Sequence, residues 1–287
     1  KGYTKHSTSL TSAVESLMNY ASPTTQKLFS VAGTKIFNST SSGAGVEVFS
    51  GLTNAKFQHV NFSTSGGNFL IACNGADPTL IYDGSHWFKI ATTTTAQSIS
   101  SITRGGTGNL TATLTTASAH GLITGNRVTI SGATPSAYNG EFVITVTGSS
   151  TFTYTMASNP GSSATGGSYT VLGITGVNSN TFVNVNLFKN RLWFTQKNSM
   201  KVWYLDPKAL AGAATDIDFG GIARNGGYLQ AMGTWTLDAG QGADDYAVFV
   251  TSMGEVLVYN GTDPTSDTTW ALKGVWQLGQ TFSRRCF

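Results

Sequence analysis

Side chains able to do chemistry are few and scattered in this sequence. His6, His59, His86 and His120 stand apart with no carboxylate pattern beside them. Paired carboxylates occur only at Asp216/Asp218 and Asp244-Asp245. Glycoside cleavage requires two carboxyl groups about 5–10 Å apart, and a hard cation requires several oxygens. Two alternating or adjacent Asp residues more simply cap turns or meet a basic partner, with a bound cation at Asp216/Asp218 as the other option. Cys73 and Cys286 have no metal-ligand spacing around them, and Cys73 reads as a filler in an apolar strand. His120 precedes a turn and reads as its capping imidazole. A phosphate loop, a Gly-x-Ser-x-Gly elbow and a His-x-x-x-His pair are all missing. The expectation is a protein with no catalytic residues, no cofactor and no metal.

The elements that would position any site are clearer than the site. A strand–turn–strand phrase ending on an aromatic residue occurs four times. Its copies run from Lys27-Leu28-Phe29 to Phe37, from Phe69-Leu70-Ile71 to Tyr82, from Leu192-Trp193-Phe194 to Trp203-Tyr204, and from Val248-Phe249-Val250 to Tyr259. The connectors are too short for parallel crossovers, so each copy predicts an antiparallel hairpin. Repeats of about 45 residues indicate propeller blades. Phe37, Tyr82, Trp193, Trp203, Tyr204 and Tyr259 are the expected blade-core aromatics. Tyr82-Asp83-Gly84-Ser85-His86-Trp87 could suggest an Asp-containing catalytic turn, but it is not repeated. It reads as a hairpin turn with Trp87 packing between blades.

One interval breaks the repeat. Between Tyr82 and Tyr204 the chain is far longer than one blade, and from about Ala91 to Gly167 Thr, Ser and Gly dominate. Alternation at Val128/Ile130, Phe142/Ile144/Val146 and Phe152/Tyr154 predicts strands with Gly turns. The fold class expected is all-β: a β-propeller built from hairpins, interrupted by a small β-barrel or sandwich module. The divisions are 1–95 for the first propeller segment, 96–172 for the insert and 173–287 for the second segment. A diverged blade plus a long loop is the alternative, though structureless loops of that length are rare.

Composition fits this class. Thirty-four Gly residues suit short strands and tight turns. Charged residues make up 11%, against roughly 25% in typical soluble domains, so neighbouring subunits are expected to cover part of the surface. A Ser/Thr/Asn-rich solitary protein is the alternative. A net charge of +3, with no basic run longer than Arg284-Arg285, does not argue for nucleic-acid binding. No apolar stretch approaches 18 residues, so no membrane span is expected. Two short helices are expected, one opened by the capping-box form of Ser12-Ala13-Val14-Glu15 and running to Asn19, one starting at Asp206-Pro207. The chain opens at Lys1-Gly2 and closes at Arg285-Cys286-Phe287 in mid-phrase. Missing blade elements are therefore expected before Lys1, beyond Phe287, or both.

Residues 187–287 carry a more specific pattern. Asn190-Arg191-Leu192-Trp193-Phe194 and Trp203-Tyr204-Leu205 lead into Ala209-Leu210-Ala211-Gly212-Ala213-Ala214-Thr215 and Ile217-Asp218-Phe219. Gly226-Gly227-Tyr228-Leu229, Gly233-Thr234-Trp235-Thr236-Leu237-Asp238, Asp244-Asp245-Tyr246-Ala247-Val248-Phe249 and Gly254 to Pro264 follow. This combination resembles the packaged-DNA stabilisation, or tail-nozzle, proteins of tailed bacteriophages, and Leu10 to Tyr20 fits the earlier part of that family. The insert, from His120-Gly121-Leu122 to Thr155, resembles a small β module found in phage tail and capsid proteins. Arg224-Asn225 departs from the family, where a second basic residue is expected beside the Arg.

The resemblance implies a β-propeller subunit in a homo-oligomeric ring of six below the portal. Such a ring extends the DNA channel, helps retain the packaged genome and lets it out, in the virion and without sequence-specific DNA binding. The partners implied are the portal or adaptor, other tail proteins and the genomic DNA. A sparse set of basic side chains would suit a conduit, since tight phosphate binding would impede ejection. Arg224 and Lys201 are the candidates for channel or subunit contacts. A receptor- or glycan-binding module is the alternative, and it would need exposed Trp or Tyr clustered on one face. A polysaccharide hydrolase is the third class, and it lacks an acid pair.

Overall fold

A computed structural model describes residues 4–238, 243–266, 268–281 and 283. Cys286, the Arg284-Arg285 pair and the side chain of Asp244 lie outside what is described. The chain divides into two units, one made of residues 1–87 and 178–287, the other of residues 88–177.

Alternation governs the first long element. Along β1 (Val14–Ala21) Ser16, Met18 and Tyr20 are buried while Glu15, Leu17 and Asn19 are exposed, the period of a half-covered strand. The helix expected from Ser12 to Asn19 is thus a strand, and Val14 and Leu17 of its supposed apolar face are exposed. A capping box is a local signal, and here pairing with β2 (Gln26–Ala32) overrides it. β3 (Lys35–Asn38) and β4 (Val46–Ser50) extend the sheet in the order β1-β2-β3-β4, every pair antiparallel. Blade 2 repeats that meander with β5 (Gln58–Thr64), β6 (Gly67–Cys73), β7 (Leu80–Tyr82) and β8 (Trp87–Lys89).

The small unit follows. Its strands are β9 (Gln97–Gly105), β10 (Thr111–Thr116), β11 (Arg127–Ser131), β12 (Gly140–Val143), β13 (Thr145–Gly148), β14 (Thr151–Thr155) and β15 (Ser168–Val171). They form one antiparallel sheet in the order β12-β11-β15-β9-β10-β14-β13. The sheet curls over a single core, so that Phe142 near one end stacks on Tyr154 near the other, ring centroids 4.3 Å apart. The unit is wider than 96–172 because its flanks are tied into it. Lys89 donates its N–H to the Gly125 carbonyl, Ala91 to that of Leu172, and Ile174 to that of Ala91.

Two more meanders complete the larger unit. Blade 3 comprises β16 (Phe182–Phe188), β17 (Arg191–Gln196), β18 (Lys201–Tyr204) and β19 (Thr215–Asp218). Blade 4 comprises β20 (Leu229–Asp238), β21 (Ala243–Thr251), β22 (Glu255–Gly261) and β23 (Trp270–Gln277). The expected helix at Asp206-Pro207 is a single turn. The Ala209 N–H reaches the Asp206 carbonyl at 3.1 Å, and Lys208 takes a φ of +62°, which no α-helix continues. Among the described residues there is no α-helix, only 3-10 turns, and no helix long and apolar enough to cross a membrane. The chain is all-β, and its repeat is the four-stranded antiparallel blade of propellers.

Blades pack in chain order through their faces. Met18, Phe29, Val31 and Ile36 of blade 1 meet Leu70, Ala72, Leu80, Tyr82 and Trp87 in one buried cluster. Trp193, Val202 and Tyr204 of blade 3 meet Met232, Phe249, Leu257 and Tyr259 of blade 4 in another. Between them β16 lies against β5 and β6. The approach there is close enough that Gly75, at φ +72°, admits no side chain, because a Cβ would sit 2.5 Å from Val183.

Candidate functional site

The charged candidates belong to separate networks. The Lys201 ammonium on β18 is 2.9 Å from the Asp216 carboxylate on β19 and 5.6 Å from the Trp203 ring centroid. Its hydrogen bond to Asp216 holds the Lys201 pKa above the ordinary lysine value. Asp218 accepts the Gly220 N–H at 2.8 Å, so this pair of carboxylates serves an ion pair and a turn cap. Arg224 is exposed in the segment between blades 3 and 4. Its N–H and that of Asn225 donate to the two carboxylate oxygens of Glu255, at 2.8 and 2.9 Å.

Glu255 is a positioning residue that the sequence reading passed over. It is buried at the start of β22, and its own N–H donates to Thr251 Oγ1. Asp77 does the corresponding work in blade 2. It accepts the Thr53 N–H, the Thr53 hydroxyl and the Asn74 side-chain amide. One signal could have found Asp77: the phrase Asn74-Gly75-Ala76-Asp77-Pro78 returns as Asn260-Gly261-Thr262-Asp263-Pro264. In the second copy Asp263 accepts from Thr265 and lies 3.5 Å from the Arg191 guanidinium. Asp245 meets Lys189 at 2.7 Å and Thr236 at 2.9 Å, and these partners hold its carboxyl below the usual range.

The remaining sites named from sequence are structural. Asp83 accepts the N–H groups of Ser85 and His86, and Trp87 packs on Phe29 and Tyr82. His120 accepts the Leu122 N–H through Nδ1 at 3.0 Å. Cys73 is fully buried, which pushes its thiol far up. Among the described residues no group of three His, Cys, Asp or Glu is placed to hold a metal. Phe37, Tyr82, Trp193, Trp203, Tyr204 and Tyr259 are all buried. Trp193, Tyr204, Tyr259 and Trp270 form a chain of stacked or tilted rings.

The largest open apolar feature was not anticipated at all. Each blade has an entry face toward the preceding blade and an exit face toward the next. The exit faces of blades 1 and 3 are buried in the two clusters just described. On blade 4 the exit face is a groove of about 640 Å³ lined by Trp235, Tyr246, Val248, Val256, Val258, Trp276 and Leu278, with Lys273 the one charged side chain. Trp235 is 56% exposed and Trp276 51%. The β20–β21 and β22–β23 pairings bring Trp235 beside Tyr246 and Trp276 beside Val256.

No family model and no curated protein matches the chain. Among solved structures it is similar to two described as BBS1N in complex with ARL6DN, one soaked with lead and the other with mercury. Identity is 10% and 9%, over 94% and 93% of this chain and 68% and 67% of those chains, with a TM-score of 0.34 in both cases. At that TM-score the likeness carries no argument about what this chain does.

Proposed function

We propose that the chain is a structural subunit of a bacteriophage tail at the head–tail junction. It forms a sixfold ring that extends the DNA channel, helps hold the packaged genome and allows its ejection, and it is not an enzyme. The observation that carries this reading is the run of phrases in residues 187–287. They lie on the strands and tight turns of blades 3 and 4, from Asn190-Arg191 at the head of β17 to Gly254 through Pro264 around β22. The charge pattern supports a conduit. Lys201 is matched by Asp216, which leaves Arg224 as the candidate for a sparse contact with passing phosphate. The portal or adaptor, neighbouring tail proteins and unsequenced contact with genomic DNA complete the proposal. Cryo-electron microscopy of the assembly tests it: a sixfold ring with an axial bore wide enough for duplex DNA is expected, and a lone subunit or a threefold fibre tip would overturn it.

One observation favours a second reading, receptor or glycan binding. Trp235 and Trp276 expose their rings on a single face, as saccharide stacking requires. Sugars also need hydrogen-bonding groups beside the rings, and this groove is lined almost entirely by hydrocarbon. Titration with a glycan library decides: saturable binding lost in Trp276→Ala would replace the conduit with recognition.

A further inference from the structure

The exit face of blade 4 has a buried counterpart within the same chain. Val248 pairs across strands with Val258, as Ile71 pairs with Ile81 in blade 2. Two residues along, Trp235 pairs with Tyr246 as Phe62 pairs with Phe69. The same cross-strand aromatic pair therefore caps the same face in both blades. In blade 2 it is covered, with Phe62 4% exposed, and β16 of blade 3 lies against its strands. In blade 4 it is open.

The covering element has a counterpart too. On β16 the side turned to blade 2 carries Val183 and Val185, while Asn184 and Asn186 bond to Met232 of blade 4. On β1 the side turned to blade 2 carries Met18 and Tyr20, so the opposite side carries Glu15 and Leu17 at the positions of Val183 and Val185. Val185 is 4% exposed, whereas Leu17 is 59% exposed. The unit thus leaves one exit face and one entry strand uncovered. They do not cover each other, since Trp235 and Leu17 are both in solvent.

We infer that a second copy of this chain occupies the groove, its β1 edge laid on the exit face of blade 4. Leu17 and Val14 meet Trp235 and Trp276, and Glu15 approaches Lys273. Charge supports this partner, because the groove's single charge is a cation and the uncovered edge bears a carboxylate. The contact is heterologous, so it repeats head to tail and gives a ring if the rotation closes and a filament if it does not. It deepens the ring reading but rests on the two uncovered faces alone.

The test is light scattering on the purified chain across a concentration series. Concentration-dependent oligomers are expected. Trp235→Ser and Leu17→Asp should each raise the apparent dissociation constant at least about tenfold, as loss of a central apolar anchor does. Mixing the two variants should give dimers and nothing larger, because each retains one intact end. Circular dichroism checks folding, and the pair Lys273→Glu with Glu15→Lys gives an independent route: each alone weakens assembly and the two together restore it. A chain that stays monomeric, or oligomers insensitive to either end, would overturn the inference. Open filaments in place of closed rings would leave it standing while sinking the ring.

Discussion

Blades 2 and 4 carry the same face in two conditions. Phe62 and Phe69 are interior residues, and Trp235 with Tyr246 in the same register is surface. Nothing in the local sequence accounts for that difference, since both pairs sit on alternating apolar strands. What differs is whether another blade follows in the unit. A blade is hydrophobic on two faces and cannot bury either by itself, so interior status is conferred by the neighbour. The apolar pattern marks a surface for contact without naming the contact.

Breaking the covered pair should have the largest effect. Phe62→Ala removes a buried ring between blades 2 and 3 and should cost about 3–5 kcal/mol, read as a lower urea midpoint. The matched change Trp235→Ala, measured on monomer at low concentration, should stay within about 0.5 kcal/mol. Equal losses at both positions would mean that the exit face of blade 4 is already covered, and the comparison would fail.

The buried clamps sharpen the contrast at the next level. Glu255→Ala leaves the Arg224 and Asn225 N–H groups without their acceptor and should destabilise by about 1–3 kcal/mol. Asp77→Ala should act similarly at Thr53 and Asn74. Proteolysis in the segment around Arg224 should rise in the first variant and not in the second.

A pH series separates the units. Burial pushes the Tyr154 and Tyr169 phenols of the small unit up from their ordinary value. A group raised in the folded state contributes fully below its unfolded pKa, about 10, and the contribution fades as pH rises toward the folded value. The small unit should therefore lose stability above about pH 10, with Tyr154→Phe flattening the decline. A midpoint unchanged to pH 11 would contradict this. The smallest effect is expected at Lys201: Lys201→Met breaks an exposed ion pair worth at most about 1 kcal/mol and should barely move the melting temperature.

The hairpins were legible because an apolar run, a Gly turn and a second apolar run leave few options for the backbone. The first strand of each blade was harder. β1 was taken for a helix because Ser12 to Glu15 has the form of a cap, whereas the buried row Ser16, Met18 and Tyr20 is visible only as alternation. In blade 3 the anchor was placed one residue late. Trp203, which pairs with Phe194, is the counterpart of Tyr82 and Tyr259, while Tyr204 turns to the other face. A slip of one position exchanges the faces of a strand. Glu255 and Asp77 were missed because a buried carboxylate that binds backbone N–H groups has no spacing rule of its own. The open groove was beyond the sequence altogether, since exposure depends on what lies outside the pattern.

The way the small unit is tied at its base has a further consequence. Ala91 and its partners Leu172 and Ile174 hold the two ends of the insert side by side. A segment that leaves and rejoins its host at neighbouring points adds little closure entropy whatever its length. It can be gained, lost or exchanged as a cassette without rethreading the blades on either side. Lineages of this chain are thus free to diversify the insert quickly while the repeat that carries it changes slowly.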